Sequence, residues 1–403
     1  MSRLSELIAE LCPDGVKYMR FDEACTLKAR IGWQRLTKSE QMPTGEYMLI
    51  TGTDFTDKHT IDFDHCCYVS KDRFDQDLNI QVRNGDLLVT KDGTLGKVAI
   101  VEGLDMPATL NGGVFVVRDK TGLFDHRFIM HYLLSDHFRR LMLMQSTGST
   151  ISHLTQKLFS RLKLPVPPLP VQEEIVRILD SFSSLEAELE AELEARRKQY
   201  AHYRDELLKF EREGESRERE RVEYKALCVV LVSLPKGTLA RGQLLSDGLY
   251  PVMNSGRDFY GWYDSKNNSG NAITIAARGE YAGYVNYIER DFWAGGLCYP
   301  YRSANEEYAL TKYVYHVLKN DEQHMMDSLV ARGSIPALNK KDLEKLRIPV
   351  PPLEEQRRIV SILDRFDKLT NDLSSGLPAE IEARHKQYEY YRDRLLSFNE
   401  LAT

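Results

Sequence analysis

The chain has 403 residues, 42% of them hydrophobic and 28% charged, which predicts two soluble globular domains rather than one core or a disordered polymer. Its longest apolar run, Ala226–Val232, is far short of the roughly 20 residues that span a bilayer. The opening lacks a secretory signal's unbroken apolar core, and the six cysteines form no CxxC pair, which argues against secretion and a disulfide framework. A reduced cytoplasm is the expected location. His65-Cys66-Cys67 has no second ligand pair at zinc spacing and reads as structure, so no metal site is expected. The net charge of −6 is uneven: residues 1–163 sum to 0, 164–221 to −5, 222–347 to +1 and 348–403 to −2. That balance neither demands nor forbids a nucleic-acid partner, because the distribution on one face decides.

In residues 1–163, Val16-Lys17-Tyr18 opens a globular region whose clearest element is DLLVT-KDGTLG-KVAIV from Asp86. β-branched residues around a glycine turn predict a hairpin there. Gly112-Gly113-Val114 leads into a strand-like run, and Phe128-Ile129-Met130-His131 follows. Residues 164–221 begin LPVPPLPVQEEIVRILDSF and include EARRKQYAHYRDELLKF from Glu194. The prolines keep the approach extended, and a helix is expected from Gln172 to Phe210, roughly 58 Å long. Residues 222–347 start again at Val222-Glu223-Tyr224 and carry AITIA-ARGEYAG-YVNYI from Ala272, then Gly295-Gly296-Leu297 and Tyr313-Val314-Tyr315-His316. Residues 348–403 begin IPVPPLEEQRRIVSILDRF and continue EARHKQYEYYRDRLLSF from Glu382. In this second helical region the seven-residue spacing slips by four near Leu373, and Ser374-Ser375-Gly376-Leu377-Pro378 marks the place. Proline there starts a new helix rather than sitting inside one.

The chain is therefore a duplication. The two VPPL segments match at 12 of 19 positions, offset by 184, and the two KQY segments at 12 of 17, offset by 188. Long helices with apolar stripes need a partner, and pairing them antiparallel makes the end of the second helical region lie beside Val16, closing the chain into a circle. The expected architecture is α+β: two mixed α/β domains (1–163 and 222–347) joined by two long antiparallel helices (164–221 and 348–403), with pseudo-twofold internal duplication. Ile175, Phe182, Leu189, Tyr200, Tyr203 and Phe210, with Ile359, Phe366, Tyr388, Tyr391 and Phe398, form the stripes. They offer more apolar surface than one partner helix hides, so they are also expected to bind other proteins.

PVPPL followed by QxxIV, ILDxF and KQYxxYRDxLLxF, given twice in about 400 residues, resembles the DNA-specificity subunits of type I restriction-modification enzymes. GDLLVTKDGTLGKVAIV and ITIAARGEYAGYVNY are similar to that family's target-recognition domains. The resemblance implies that each domain reads one half of a split DNA site while the helices set the spacing and bind two methylation subunits. It also implies restriction subunits in the complex, with S-adenosylmethionine, ATP and Mg on those partners and no cofactor on this chain. No P-loop, dinucleotide fingerprint or NPPY-type methyltransferase signature occurs, so no catalytic residue is assigned. A type IIG-like restriction-modification component and a coiled-coil interaction protein are the alternatives.

Base reading requires side chains in the major groove. The candidates in the first domain are Lys91, Thr94 and Lys97 around the Asp92-Gly93 turn, with Arg35 in the polar loop after Trp33. In the second they are Arg278, Glu280 and Tyr281 in the equivalent turn, with Asn254, Ser255 and Arg257 in a preceding loop. Arginine can grip guanine and asparagine adenine, although turns are also polar simply because they are solvated. Gly93 and Gly279 are expected to be turn formers. Leu185 to Ala195 reads LEAE-LEAE-LEA, and the family resemblance makes this tetrapeptide repeat the spacer of the two half-sites.

Overall fold

The computed structural model describes residues 3–92, 96–145, 155–210, 222–372 and 374–401. It divides into two compact units, Met1–Leu189 with Ile381–Thr403, and Glu190–Glu380. The helical stretches thus belong to the same bodies as the globular ones: the long helix is shared between the units, and the last helix joins the first unit.

The first unit is built in three layers. Its central sheet has the order Cys25–Ala29, Val114–Asp119, Leu87–Thr90, Val98–Ile100, all antiparallel. The expected hairpin is present, with Leu87 opposite Ile100. These strands read as unbroken apolar runs because both faces are covered. Alternation sends Leu87, Val89 and Val117 into one core with Phe128 and Ile129 of the helix His126–Leu134. It sends Leu88, Val114 and Val116 into a second core with Met48, Ile50 and Leu110. Those last three belong to another sheet, ordered Cys67–Val69, Tyr47–Ile50, Ala108–Leu110, Gln81–Val82, in which the middle pair runs parallel.

The second unit repeats this plan. Its central sheet runs Leu231–Ser233, Cys298–Ser303, Ala272–Ala276, Val285–Ile288, and Ala272–Ala276 with Val285–Ile288 is the second expected hairpin. Ile273, Ile275 and Tyr301 pack with Tyr313 and Val314 of the helix Thr311–Asn320. Ala272 and Cys298 face Met253 and Ala294. The outer sheet is smaller, Gly261–Tyr263, Tyr250–Met253, Trp293–Ala294, and again has a parallel pair.

Each unit is clasped to its helix by a two-stranded pair of matching register. Lys17–Arg20 pairs Lys163–Val166, with Lys17 opposite Val166; Glu223–Ala226 pairs Arg347–Val350, with Glu223 opposite Val350. The long helix spans Leu169–Leu208, beginning three residues before the expected Gln172. Pro170 is tolerated because the first turn of a helix has no use for its missing N–H. The second helical region is two helices, Leu353–Asn371 and Leu377–Leu395, broken at the expected place. Leu373 of the heptad lies outside the described residues. Asp372 accepts from the Ser374 amide at 2.7 Å and from the Ser374 and Ser375 hydroxyls at 2.6 and 2.5 Å, which fixes the break.

In the first unit the helices run antiparallel: Phe182 stacks on Tyr391 at 5.4 Å, and Glu186, one turn later, meets His385 at 2.9 Å. In the second, Tyr200 and Tyr203 both stack on Phe366, at 6.0 and 5.6 Å. The circle closes as expected. The Val16 amide donates to Asn399 at 2.9 Å, and the Leu401 amide donates to Val16 at 3.0 Å.

Candidate nucleic-acid interface

In the first unit the chain leaves Leu87–Thr90 into the candidate turn. The Lys91 amide donates to the Gly113 carbonyl at 2.9 Å, which places the side chain over the sheet end with its ammonium 5.5 Å from the Phe115 ring centroid. Lys91, Gly32, Asp92 and Gln156 line a cleft of about 360 Å³, so the polar loop and the turn do meet there. Arg35 is exposed just beyond the short 3-10 turn Gly32–Gln34. Lys97 is exposed, its amide donating to the Thr90 hydroxyl at 2.9 Å. Thr94 and Gly93 lie outside the described residues.

Arg30, which the sequence did not single out, is 2% exposed and holds this loop from within. Its guanidinium donates to the Leu110 carbonyl at 2.9 Å and to Gln76 Oε1 at 3.0 Å. Burial, reinforced by the charge of Arg73, lowers its pKa, while Asp77 and Glu40 pull the other way. Its carbonyl partners make it structural.

In the second unit two candidate regions converge. The Arg257 guanidinium lies 4.9 Å from the Tyr281 ring and 5.5 Å from that of Tyr284. Among the described residues it has no carboxylate partner. Stacking of this kind is worth roughly 0.5–1 kcal/mol at an exposed site and leaves the guanidinium edge free to donate. Arg278 and Glu280 are exposed, Ser255 is half-buried, and Gly279 has φ +100°, the left-handed turn former that was expected. Asn254 Oδ1 accepts from the Leu297 amide at 2.9 Å, which orients the carboxamide and leaves its second oxygen lone pair and its amide hydrogens for other partners.

Sequence reasoning missed three further groups. Lys319 sits 3.7 Å from the Tyr284 ring centroid, and Arg290 lies over Trp262 and Phe259 at 4.8 and 5.5 Å, beside an exposed Tyr260. The cluster Phe259-Tyr260-Gly261-Trp262-Tyr263 was the available signal.

The helix stripes need a correction. Ile175 and Ile359 are fully buried, and Tyr388 is 6% exposed, so each of the three packs inside the core of its own unit rather than meeting a partner. Phe182, Leu189, Tyr200, Phe210, Phe366, Tyr391 and Phe398 are half-buried, and Tyr203 is exposed. Tyr388 shares a network with His131, whose Nδ1 lies 3.1 Å from the Tyr388 hydroxyl and whose Nε2 lies 3.0 Å from Asp180. Burial alone raises the Asp180 carboxyl, but the His131 bond and the charges of His131 and Arg127 outweigh it and hold the pKa below its ordinary value. His316 and Asp364 repeat the pair at 3.0 Å. With His131 and His316 buried, these are ties between helices.

The family described as the type I restriction modification DNA specificity domain matches residues 13–195 and 230–383, which is most of the chain and both copies of the repeat. The chain belongs to that family. As a specificity subunit it is a DNA sequence-recognition protein by family. It is 36% identical over 266 residues to the specificity subunit of the type I restriction enzyme EcoR124I/EcoR124II of Escherichia coli, covering 60% of this chain and 64% of that one. With a putative type I specificity subunit of Haemophilus influenzae it shares 32% over 302 residues, covering 72% and 76%. The type I restriction-modification S subunit from M. genitalium has the same fold, with a TM-score of 0.59 at 18% identity over 96% of this chain and 97% of that one.

Proposed function

We propose that this specificity subunit reads a split DNA site, one half-sequence per unit, and carries two methylation subunits on its helices. In this reading it performs no chemistry. S-adenosylmethionine, ATP and Mg belong to the methylation and restriction subunits of the complex, and the assembly works in the cytoplasm.

One observation carries the proposal. The clasps and helix ties of the two units are the same, down to Gln172 and Gln356. Each is fully buried and donates to two carbonyls: Leu123 and Pro167 at 2.8 and 2.7 Å, and Tyr308 and Pro351 at 3.0 and 2.8 Å. The turns at the sheet ends share a glycine, Gly93 and Gly279, but differ on either side of it, Asp92 and Thr94 in one and Arg278 and Glu280 in the other. A shared frame with unlike tips suits two readers of different sequences. The test is to exchange residues 20–160 for the same segment of a relative and sequence methylated adenines in the host. One half-site should change and the other persist; if both change together, the two-reader proposal fails.

A further inference from the structure

The central sheets of the two units can be superposed by register alone. Phe115 lies opposite Val89, and Tyr299 opposite Ile275. The Lys91 amide donates to the Gly113 carbonyl at 2.9 Å, and the Ala277 amide donates to Leu297 at 2.9 Å. Ala277 therefore stands where the first unit has Lys91, and a methyl group replaces the ammonium. The charge nevertheless reappears. Lys236 Nζ lies 5.0 Å from the Tyr299 ring centroid, as Lys91 Nζ lies 5.5 Å from that of Phe115.

The source of this second lysine is a different loop. Leu27 pairs with Val117 and Ser233 with Tyr301, so counting three residues on sets Lys236 at the position of Arg30. Arg30 is buried and spent on carbonyls; Lys236 is exposed. Each unit thus offers one lysine ammonium above the aromatic ring of the same central strand, drawn from the hairpin in one case and from the loop after the first strand in the other. Neither ammonium is ion-paired among the described residues. Lys236 also donates to the Gly296 carbonyl at 3.0 Å, which fixes it in place while leaving its charge uncompensated. The Lys236 ammonium, held by a ring and by the Gly296 and Cys298 carbonyls and not ion-paired among the described residues, is prepared for an anion.

We propose that Lys236 and Lys91 are matched DNA-phosphate contacts, one in each unit, and that Lys236 performs in the second unit what position 277 cannot. The proposal rests on the reading of the chain as a two-part DNA reader. A phosphate contact positions the protein without selecting sequence, so this proposal takes Lys91 out of the base readers expected from the sequence.

The test uses the full chain assembled with its methylation subunits, on a duplex carrying the site mapped from the host's methylated adenines. Affinity is measured against salt. Each phosphate contact contributes about 0.9 to the slope of log affinity on log salt. Lys236→Gln should flatten the slope by that amount, so a fourfold rise in salt costs the variant about 3.5-fold less affinity than wild type. Lys91→Gln should do the same, and neither should alter the sequence methylated. Adding Ala277→Lys to Lys236→Ala should restore the slope, because the backbone at 277 already matches that at 91. This rescue also covers the case in which Lys236→Ala weakens the fold through the lost Gly296 bond. An unchanged slope in Lys236→Gln, a slope that Ala277→Lys does not restore, or a changed target sequence would overturn the proposal. If the wild-type assembly shows no preference for this duplex over a scrambled one, the DNA-reader reading falls first and this inference with it.

Discussion

The Tyr18 hydroxyl donates to the Phe398 carbonyl at 3.0 Å across 380 residues, and the Tyr224 hydroxyl donates to the Phe210 carbonyl at the same distance across only 14. The same joint is made once by a neighbour in sequence and once by the far end of the chain. Its energetics should match in the two places. Tyr18→Phe and Tyr224→Phe should each cost about 1 kcal/mol, the net worth of one such bond. Gly15→Ala should cost more than either, because φ is +109° and a Cβ would lie 2.4 Å from the Asn399 carbonyl oxygen. Thermal unfolding of the three variants, compared in one buffer, checks the order.

The same equivalence predicts how half a chain behaves. A fragment of residues 1–212 keeps Tyr18 but loses Phe398, and its own Phe210 has no Tyr224 to receive. Two copies satisfy each other, so the fragment should be a symmetric dimer. With methylation subunits it should direct methylation to a palindromic split site. Light scattering decides the first point; a stable monomer at micromolar concentration would count against the antiparallel pairing.

Acid should loosen both units through one kind of tie. The Asp180 and Asp364 carboxyls lie below their ordinary value of 3.8, burial opposing and the histidine bonds and cations prevailing. A depressed carboxylate contributes stability that is present above that value and lost as the pH falls through the folded one. Asp180→Asn and Asp364→Asn should therefore lower the melting temperature at neutral pH and make its decline below pH 3.8 shallower than in wild type. Equal acid slopes in variant and parent would show that these pairs are not linked to folding.

Arg257 should distinguish a planar donor from a mere charge. Lysine keeps the charge but not the fork that matches guanine O6 and N7. Arg257→Lys should thus relax the second half-site at one base pair, at a cost of about 1–3 kcal/mol in discrimination there. The methylome of the variant strain shows it, and a cost spread evenly over all sequences would reassign Arg257 to the phosphates.

Lengthening the LEAE repeat should change only the unread gap. One added unit extends a helix by roughly 6 Å and rotates the downstream turns by about 40°. At about 3.4 Å per base pair, the half-sites should move apart by about one to two base pairs. An unchanged gap, or altered half-sites, would show that this helix is not the ruler. The limit between the two units, Leu189 to Glu190, falls within this repeat.

The duplication, the hairpins, the break at Ser374–Gly376 and the closing of the chain onto Val16 were legible because each rests on repetition, periodicity or turn chemistry, all local properties of sequence. What was not legible depends on three-dimensional register. Nothing in the order of residues tells that Arg30 is swallowed while Lys236, at the matching place, is exposed. Nor does the sequence tell that the Leu297 amide orients the Asn254 carboxamide. Tyr388 and Ile175 lie on stripes that looked in excess only because the helix His126–Leu134, which shares their core, could not be counted as a partner from sequence.

The matching clasps have a genetic consequence. The segment after Arg20 and the one before Lys163 enter the first unit through one two-stranded pair, and those after Ala226 and before Arg347 enter the second through another in the same register. The gene segments on the downstream side of each clasp encode similar peptides, identical at 12 of 19 positions, so they are natural places for crossover. A recombinant would receive a foreign tip already fitted to the native mount, and a bacterium could acquire a new specificity by inheritance of a cassette, without mutating the frame that carries it.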